Sequence, residues 1–226
     1  YRNLLPFNNF LKFRASWGRV GNDRLKDENG NDIRFPYLTT LGNVSSTWGT
    51  GLAENRTGSM NLKWEVSTKT NFGIDARFFD DKVDMTVDFF HTKTTDIFQR
   101  RANIPDEGGL SNVLPYANIG SMKSWGMDGT LAYTHTFNKD MALTVRGNFT
   151  HAENEVIYWE QSGVNYPYQS NSGVPYKVQR GLIALGLFKD EDDIKSSPKQ
   201  TFMDNYRPGD IKYKDVNGDG KIDKDD

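Results

Sequence analysis

The chain has 226 residues, of which 36% are hydrophobic, 13% are aromatic and 26% are charged, and its formal net charge is −2. The low apolar fraction and the lack of a long uncharged run argue against helical membrane spans, and the near-neutral charge gives no indication of a nucleic-acid partner. Because there is no cysteine, the composition excludes a disulfide framework and a cysteine metal site.

The first part of the chain predicts one strand and a long loop. Residues 1–6 (YRNLLP) carry no signal-peptide pattern, and we expect the chain to be part of a longer or processed protein. Apolar and polar side chains alternate from Phe10 to Trp17, which predicts a strand. Residues 18–60 are rich in Asn, Asp, Gly, Thr and Ser and predict a loop, with short strands around Phe35–Leu41. Loops of this length usually serve a function.

The most regular pattern of the chain runs from Trp64 to His91 and predicts a β-hairpin. Apolar and polar side chains alternate along both halves, as they do on strands with one apolar and one charged face. A polar break at residues 80–82 predicts a tight turn, and we expect the second strand to continue to about Arg101. The residues of the apolar face, which we call the apolar parity because they occupy every second position, are Trp64, Val66, Thr68, Thr70, Phe72, Ile74, Ala76 and Phe78, followed by Val83, Met85, Val87 and Phe89.

A second hairpin of the same design follows a predicted loop at residues 102–118. Its strands cover Ile119–His135 and Met141–Tyr158, and a short turn at residues 138–140 joins them. Beyond Tyr158 the alternation fades into a region rich in Gly, Pro, Asn, Asp and Lys. In that region we predict an apolar segment at residues 182–188 and a helical turn at residues 191–194.

The distribution of charge indicates a different solvent on each face of these hairpins. Near the two tight turns the apolar parity carries no formal charge, and its only ionisable residues are His91 and His135. Lipid outside a barrel and water inside it would produce this pattern, since a mid-bilayer Arg or Lys on the lipid face costs about 2–4 kcal/mol. The residues on the opposite, charged face include Asp75, Arg77, Asp84, Asp88, Asp128 and Arg146.

These patterns predict an all-β fold, namely an antiparallel segment of a transmembrane β-barrel with short periplasmic turns and long extracellular loops. We assign residues 1–158 to barrel strands and residues 159–226 to an extracellular loop region. The alternatives are a soluble, secreted β-sandwich that binds glycan and carries a calcium loop, and a barrel enzyme. Sandwich strands are shorter than these. No nucleophile–base or acid pair stands out, so we predict that the protein is not an enzyme.

Several segments resemble the SusC/RagA-like, TonB-dependent outer-membrane transporters of Bacteroidota, and they keep that family's order over nearly the whole chain. Residues 11–18 (LKFRASWG) are similar to the family's LKLRASWG strand, and residues 61–65 (NLKWE) are similar to the start of its next strand. The departures are Asp128 in place of the usual Glu and Trp125 in place of the common Lys. The other similar segments are Thr70–Asp75, Asp88–His91, Lys93–Asp96, Asn118–Gly120, Trp125–Asp128 and Pro208–Asp215.

The resemblance implies a barrel of about 22 strands with an internal plug, of which this chain would supply about five or six strands. It further implies a location in the outer membrane of a Gram-negative bacterium and the uptake of an oligosaccharide or a peptide. The implied partners are a SusD-like surface lipoprotein, outer-membrane lipid, and TonB, which an N-terminal part outside this chain would contact. Because a partial sheet leaves backbone groups unpaired in hydrocarbon, the chain alone is not expected to form a pore.

The C-terminal segment, residues 215–226 (DVNGDGKIDKDD), matches the pattern of an EF-hand calcium loop. Gly220 permits the sharp turn of such a loop. Asp226 stands at the closing position in place of the usual bidentate Glu, which we expect to weaken binding. A solvated acidic turn is the alternative interpretation. The predicted Ca²⁺ ligands are Asp215, Asn217, Asp219, the Lys221 carbonyl, Asp223 and Asp226.

Aromatic side chains are frequent in the predicted outer loops. They could stack on sugar rings, and packing within the loops or at the membrane interface is an equally good interpretation. These residues are Trp48, Tyr158, Trp159, Tyr166, Tyr168 and Tyr176.

Overall fold

The computed structural model describes residues 8–26, 30–47, 49–104 and 113–226. Most of these residues belong to strands, and no helix among them is long and apolar enough to cross a membrane. The N-terminal strands are β1 (Asn8–Asn22), β2 (Thr40–Ser46), β3 (Gly49–Arg56), β4 (Glu65–Phe78), β5 (Val83–Arg100), β6 (Tyr116–Thr136) and β7 (Ala142–Tyr158). A 3-10 turn (Pro167–Gln169) is followed by β8 (Ala184–Leu187), α1 (Glu191–Ser196), β9 (Lys199–Gln200), β10 (Ile211–Tyr213) and β11 (Lys221–Ile222).

Five long strands form one antiparallel sheet in the order β1-β4-β5-β6-β7. They are between 14 and 21 residues long, whereas an average strand has about five or six residues. In register, Ile74 of β4 lies opposite Phe13 of β1 and opposite Val87 of β5. A slip by one residue would exchange the apolar and charged faces, so the alternation in the sequence excludes registers shifted by an odd number of residues. The predicted all-β, antiparallel fold is confirmed.

Both predicted tight turns lie at the same end of the sheet. Between β4 and β5, Phe79, Asp80 and Asp81 adopt positive φ angles of 56°, 55° and 62°, a conformation that Asp tolerates more easily than Phe does. Between β6 and β7, Asn138 Oδ1 accepts a hydrogen bond from the Asp140 amide at 3.0 Å. The connections at the opposite end are long, as the sequence predicts.

The connection between β1 and β4 contains more regular structure than we predict from the sequence. Strand β1 continues to Asn22. Residues 40–46 and 49–56 pair as the antiparallel strands β2 and β3, whereas we expected short strands around residues 35–41. The strands TLGNVSS and GTGLAENR are rich in Gly, Ser and Thr and lack a continuous apolar face, so alternation does not reveal them. Strand β6 likewise begins at Tyr116, inside the loop predicted at residues 102–118.

The structure contains two compact units. One consists of the described residues through Ser162 together with Asn171–Tyr176, and the other consists of Gly163–Ser170 together with Lys177–Asp226. In the second unit, Phe188 and Ile222 are buried, with exposed fractions of 2% and 0%. Strand β8 pairs with β10, and β9 pairs with β11. The assignment of residues 159–226 to the extracellular side stays a prediction.

Helix α1 confirms the helical turn predicted at residues 191–194 and extends it to Ser196. The Asp190 side chain accepts a hydrogen bond from the Asp193 amide at 2.8 Å, which satisfies one of the free donors at the start of the helix. Asp193 in turn accepts from Lys212 Nζ at 2.7 Å. The pKa of Asp193 is lowered mainly by the hydrogen bond from the Lys212 ammonium, and further by the Lys189 amide.

Candidate functional site

The apolar face of the five-stranded sheet consists of rows of side chains that cross all five strands. Many of these side chains are exposed, for example Phe13 at 62% and Val145 at 60%. A continuous exposed apolar surface of this kind indicates a face that lies against something other than water. The three central rows are Leu11, Ala76, Met85, Leu131 and Gly147; Phe13, Ile74, Val87, Gly129 and Phe149; and Ala15, Phe72, Phe89, Met127 and His151.

Aromatic residues border this apolar band on both sides. Toward the long connections, one row contains Trp17, Thr70 and Trp125, and toward the short turns another row contains Phe78 and Tyr133. Thr70 and Phe78 are eight positions apart on β4, which is about 20 Å along the membrane normal for a strand tilted by about 40°. The lipid-facing band of an outer-membrane barrel is about 25 Å tall and has aromatic girdles at both interfaces. The dimensions of this face agree with such a band.

The opposite face carries a charged cluster centred on Arg14 of β1. Its guanidinium donates to both carboxylate oxygens of Asp75 on β4 (2.9 Å each) and to both of Asp88 on β5 (3.0 and 2.8 Å). The guanidinium lies over Gly73, where a Cβ atom would come within 2.5 Å of Asp88 Oδ1 and 2.7 Å of Arg14 Cζ. Bidentate contacts are geometrically specific, so the cluster cross-links three neighbouring strands on this face.

The remaining side chains of the charged face are mostly polar. Arg77 and Asp84 lie 3.7 Å apart across β4 and β5. Phe90 is an aromatic exception, and its ring covers Gly126, where a Cβ atom would lie 2.7 Å from Phe90 Cζ. The register places every predicted charged residue on this face, as a water-filled lumen requires. These residues are Asp75, Arg77, Asp84, Asp88, Asp128 and Arg146.

Glu160 forms a buried junction between the segments that leave β5 and β7 at the long-connection end. Its side chain is 3% exposed and pairs with Arg101 Nε at 2.8 Å. The amides of Ala102 and Asn103 donate to Glu160 Oε1 at 3.0 and 2.7 Å. Burial raises the pKa of Glu160, but the two amides and Arg101 outweigh burial, so the pKa lies below the ordinary glutamate value. Sequence reasoning missed this residue because nothing in its local pattern distinguishes it.

The loop aromatics lie in pairs within their own units. The Trp159 and Tyr176 rings are 5.8 Å apart, and Tyr166 stacks on Tyr168 with a centroid distance of 5.3 Å. The Tyr168 hydroxyl also donates to the Asp225 carbonyl at 2.6 Å. These contacts fit packing within the loops, and stacking on sugar rings stays a prediction. Trp48, which belongs to the same predicted set, lies outside the described residues.

The predicted calcium loop follows β10 and contains β11. Asn217 Oδ1 accepts from the Asp219 amide at 2.9 Å, and Asp219 Oδ1 accepts from the Lys221 amide at 2.9 Å. Asp223 Oδ1 accepts from the Asp225 amide, also at 2.9 Å. These side chain-to-backbone hydrogen bonds close tight turns of the kind that Asn and Asp residues form. The Asp and Asn spacing in the sequence thus produces successive turns in one short loop.

Asp215 and Asp226 stand at the beginning and end of the same loop. Asp215 Oδ2 accepts from the Gly220 amide at 2.9 Å, and Asp226 Oδ1 accepts from the Val216 amide at 2.8 Å. Burial raises the pKa of Asp226, but amide donors including that of Val216 outweigh burial and hold the pKa below the ordinary value. Among the described residues, no group of three or more His, Cys, Asp or Glu side chains is arranged to hold a metal ion. Calcium binding by this loop therefore stays a prediction.

Sequence comparison identifies a family and several relatives. Residues 1–217 match the family described as TonB dependent receptor-like, beta-barrel. A TonB-dependent receptor of Formosa agariphila is 31% identical, with an alignment that covers 99% of this chain and 24% of the relative. The TonB-dependent receptor SusC of Bacteroides thetaiotaomicron is 25% identical over 96% of this chain and 21% of the relative. The chain therefore spans about a quarter of the length of these curated relatives.

Comparison with solved structures gives the same fold. The structure of the RagAB peptide importer in its closed-closed state aligns with a TM-score of 0.63 and 21% identity, over 99% of this chain and 24% of that chain. The structure of the same importer in its open-open state aligns with a TM-score of 0.60 and 24% identity, over 87% of this chain and 20% of that chain. At these identities the similarity establishes the architecture of the sheet.

Proposed function

Because the chain belongs to the TonB-dependent receptor-like β-barrel family, we propose that it forms part of the barrel wall of a nutrient importer in the outer membrane of a Gram-negative bacterium. One observation carries this proposal, namely the register of the five-stranded sheet. It places an apolar band bordered by aromatic residues on one face and the Arg14, Asp75 and Asp88 cluster on the other. The first face suits lipid, and the second suits an aqueous lumen. Import would be energised through TonB, contacted by a part of the protein outside this chain.

We propose an oligosaccharide or a peptide as the cargo, with a SusD-like surface lipoprotein as the partner. Similarity to SusC and to the RagAB peptide importer supports this proposal. The long connections on one side of the sheet offer the partner and the cargo a surface, and they contain the Trp159–Tyr176 ring pair. The protein would act by binding and translocation, not by catalysis.

The cargo can be tested by genetics. Deletion of the gene for the full-length protein is expected to abolish growth on one class of oligosaccharide or peptide as the sole nutrient, and complementation is expected to restore it. Co-purification of a surface lipoprotein with the affinity-tagged full-length protein tests the partner. Unchanged growth of the deletion strain on every tested oligosaccharide and peptide would contradict an importer of either class.

The orientation can be tested by labelling intact cells. In a cysteine-free full-length protein, a single cysteine replaces Leu52 in the β2–β3 hairpin or Asn138 in the β6–β7 turn. A membrane-impermeant maleimide is expected to label the Leu52→Cys variant on intact cells and the Asn138→Cys variant only after lysis. The reverse pattern would contradict the proposed orientation.

We further propose that the loop from Asp215 to Asp226 binds Ca²⁺, with ligands from Asp215, Asn217, Asp219, the Lys221 carbonyl, Asp223 and Asp226. The spacing of these oxygen donors supports the proposal, as does the left-handed backbone of Gly220 (φ 83°) at the turn position. Isothermal titration of the full-length protein with CaCl₂ is expected to give a Kd of about 10⁻⁴–10⁻³ M, and Asp215→Ala is expected to abolish the heat. Absence of heat at millimolar calcium would contradict the site.

A further inference from the structure

Basic side chains cross the apolar face of the sheet directly above the row that contains Trp17 and Trp125. In register, Arg19 of β1 lies beside Thr68 of β4, Thr68 lies beside Lys93 of β5, and Lys93 lies beside Lys123 of β6. Each of these residues is two positions along its strand from the tryptophan row, so it belongs to the same face. We call Arg19, Thr68, Lys93 and Lys123 the basic row.

The protein itself neutralises only part of the charge of the basic row. Lys123 pairs with Glu155 of β7 at 3.0 Å, and its Nζ atom lies 5.3 Å from the centroid of the Trp125 ring. Arg19 and Lys93 are exposed and form no ion pair within the part of the chain that the structure describes. Three cations and one carboxylate leave the row with a net charge of +2.

The register makes this charge unfavourable without an external anion. Lys93 lies directly opposite Lys123 on the neighbouring strand, and like charges in directly opposed positions destabilise a sheet. Arg19 lies two strands from Lys93, at a backbone separation of about 10 Å, with the hydroxyl-bearing Thr68 between them. Long basic side chains on a lipid-facing surface extend toward the headgroups. Two cations and a hydroxyl in one row are suitable donors for phosphate oxygens.

We propose that the basic row binds the phosphate groups of a lipid in the outer leaflet of the membrane. This inference rests on the proposed function, because the barrel orientation places the tryptophan row at the headgroup level of that leaflet. Phosphate is the anionic group of membrane lipids at this depth, and basic residues close to a membrane attract anionic headgroups. The side chains that would contact the phosphates are those of Arg19, Thr68 and Lys93, while Lys123 and its partner Glu155 border the site.

The test uses the purified full-length protein in detergent and lipid A that carries one phosphate. Native mass spectrometry measures lipid binding to the wild type and to the Arg19→Gln/Lys93→Gln double variant. The matched control is Lys69→Gln, because Lys69 lies on β4 beside Thr68 in the sequence but on the opposite face. The charge-preserving variant Arg19→Lys/Lys93→Arg tests whether charge suffices, and dephosphorylated lipid and inorganic phosphate are the competing probes.

The wild type is expected to bind lipid A, and removal of both cations is expected to weaken binding about 25-fold, or about fivefold for each cation. Lys69→Gln and the charge-preserving variant are expected to bind like the wild type. Equal binding of dephosphorylated lipid, equal weakening by Lys69→Gln, or competition by inorganic phosphate at lipid concentrations would each overturn the proposal. If the double variant does not fold, the comparison of phosphorylated with dephosphorylated lipid on the wild type decides the question alone.

The lipid-binding measurement contains no cargo, so its outcome is independent of the growth experiment on the deletion strain. Absence of lipid A binding by the wild type, together with normal import, would overturn the lipid site and leave the importer proposal standing. Lipid binding without any import phenotype would overturn the proposed function. Lipid binding with reversed maleimide labelling would overturn the proposed orientation, and with it the assignment of the lipid to the outer leaflet.

Discussion

Individual residues matter most where the sheet has no room for a side chain. The Arg14 guanidinium reaches Asp75 and Asp88 only because Gly73 leaves the space between them open. Elsewhere in the same sheet a glycine has no such role, since a Cβ atom on Gly147 would meet nothing within 4 Å. Two glycines of the same sheet therefore have different structural consequences.

Substitution of Gly73 by Ala is expected to destabilise the full-length protein by about 1–3 kcal/mol, because the added methyl group would collide with the ion-paired cluster. The measurement is the temperature at which the folded protein loses its faster migration in SDS gels. Gly147→Ala is the control and is expected to leave this temperature unchanged. Equal behaviour of the two variants would contradict the packing described for Arg14.

Glu160→Gln is expected to loosen the junction with Arg101, Ala102 and Asn103 at a cost of about 1–3 kcal/mol, because a buried ion pair and its amide bonds are weakened. Limited proteolysis of the connection that follows β5 measures the effect. The control is Glu153→Gln, which changes an exposed carboxylate. Faster cleavage of both variants would contradict a specific role for Glu160.

The same junction predicts a pH dependence. In the folded protein the pKa of Glu160 lies below the ordinary glutamate value, so the ionised carboxylate stabilises the fold. This stabilisation is complete above the unfolded-state pKa and is lost as the pH falls through the folded-state pKa. Cleavage of the connection is therefore expected to stay constant from about pH 8 to pH 5 and to rise below about pH 4. In Glu160→Gln this acid-dependent rise should be smaller.

At the level of the strands, alternation decides which solvent each side chain meets. Val87 lies in the central row of the apolar face, between Ile74 and Gly129. Thr86, the preceding residue, lies on the charged face in register with Asp75. Neighbours in the sequence thus differ completely in environment, because consecutive side chains of a strand point to opposite faces.

A lysine at position 87 is expected to cost about 2–4 kcal/mol, since it places a charge at the middle of the lipid-facing band. The same residue at position 86 is expected to be tolerated, because the charged face would line an aqueous lumen and Asp75 lies opposite in register. The measurement is the amount of folded protein in the outer membrane for Val87→Lys and Thr86→Lys. Reversal of this order would contradict the assignment of the faces.

At the level of the whole molecule, the sheet is open at both sides. Strands β1 and β7 are its outermost members, and within the described part of the chain each has only one neighbouring strand. On the outer edge of β7, Val156 also exchanges backbone hydrogen bonds with Gly173 and Val174. Hydrocarbon satisfies no unpaired backbone group, so such a sheet needs further strands before it can span a membrane. The remaining strands of a closed barrel would supply these partners.

Expressed by itself, this chain is expected to aggregate in plain buffer and to give no pore in lipid bilayers, because the apolar face is uncovered and neither edge of the sheet has a neighbouring strand in the described part of the chain. Thermal unfolding followed by circular dichroism, with and without detergent, measures this. A soluble monomer with a cooperative transition in buffer alone would contradict the barrel assignment and favour a sandwich.

Most of the fold of the long strands follows from the sequence alone. Alternation between Trp64 and His91 and between Ile119 and Tyr158 predicts the strands, the faces and the two short turns, because period two is intrinsic to an extended backbone. Local composition also predicts the turns at Asn217 and Asp219, since Asn and Asp side chains bond to their own backbone. These features depend on residues close together in the chain.

Only the tertiary structure decides which residues from distant segments meet. The pairing of β1 with β4 brings Arg14 to Asp75 and Asp88, 61 and 74 residues away. It likewise places Arg19 in one row with Lys93 and Lys123. Arg101 and Glu160 meet across 59 residues. No local pattern encodes these contacts, because they depend on strand order and register, which arise when the whole sheet assembles.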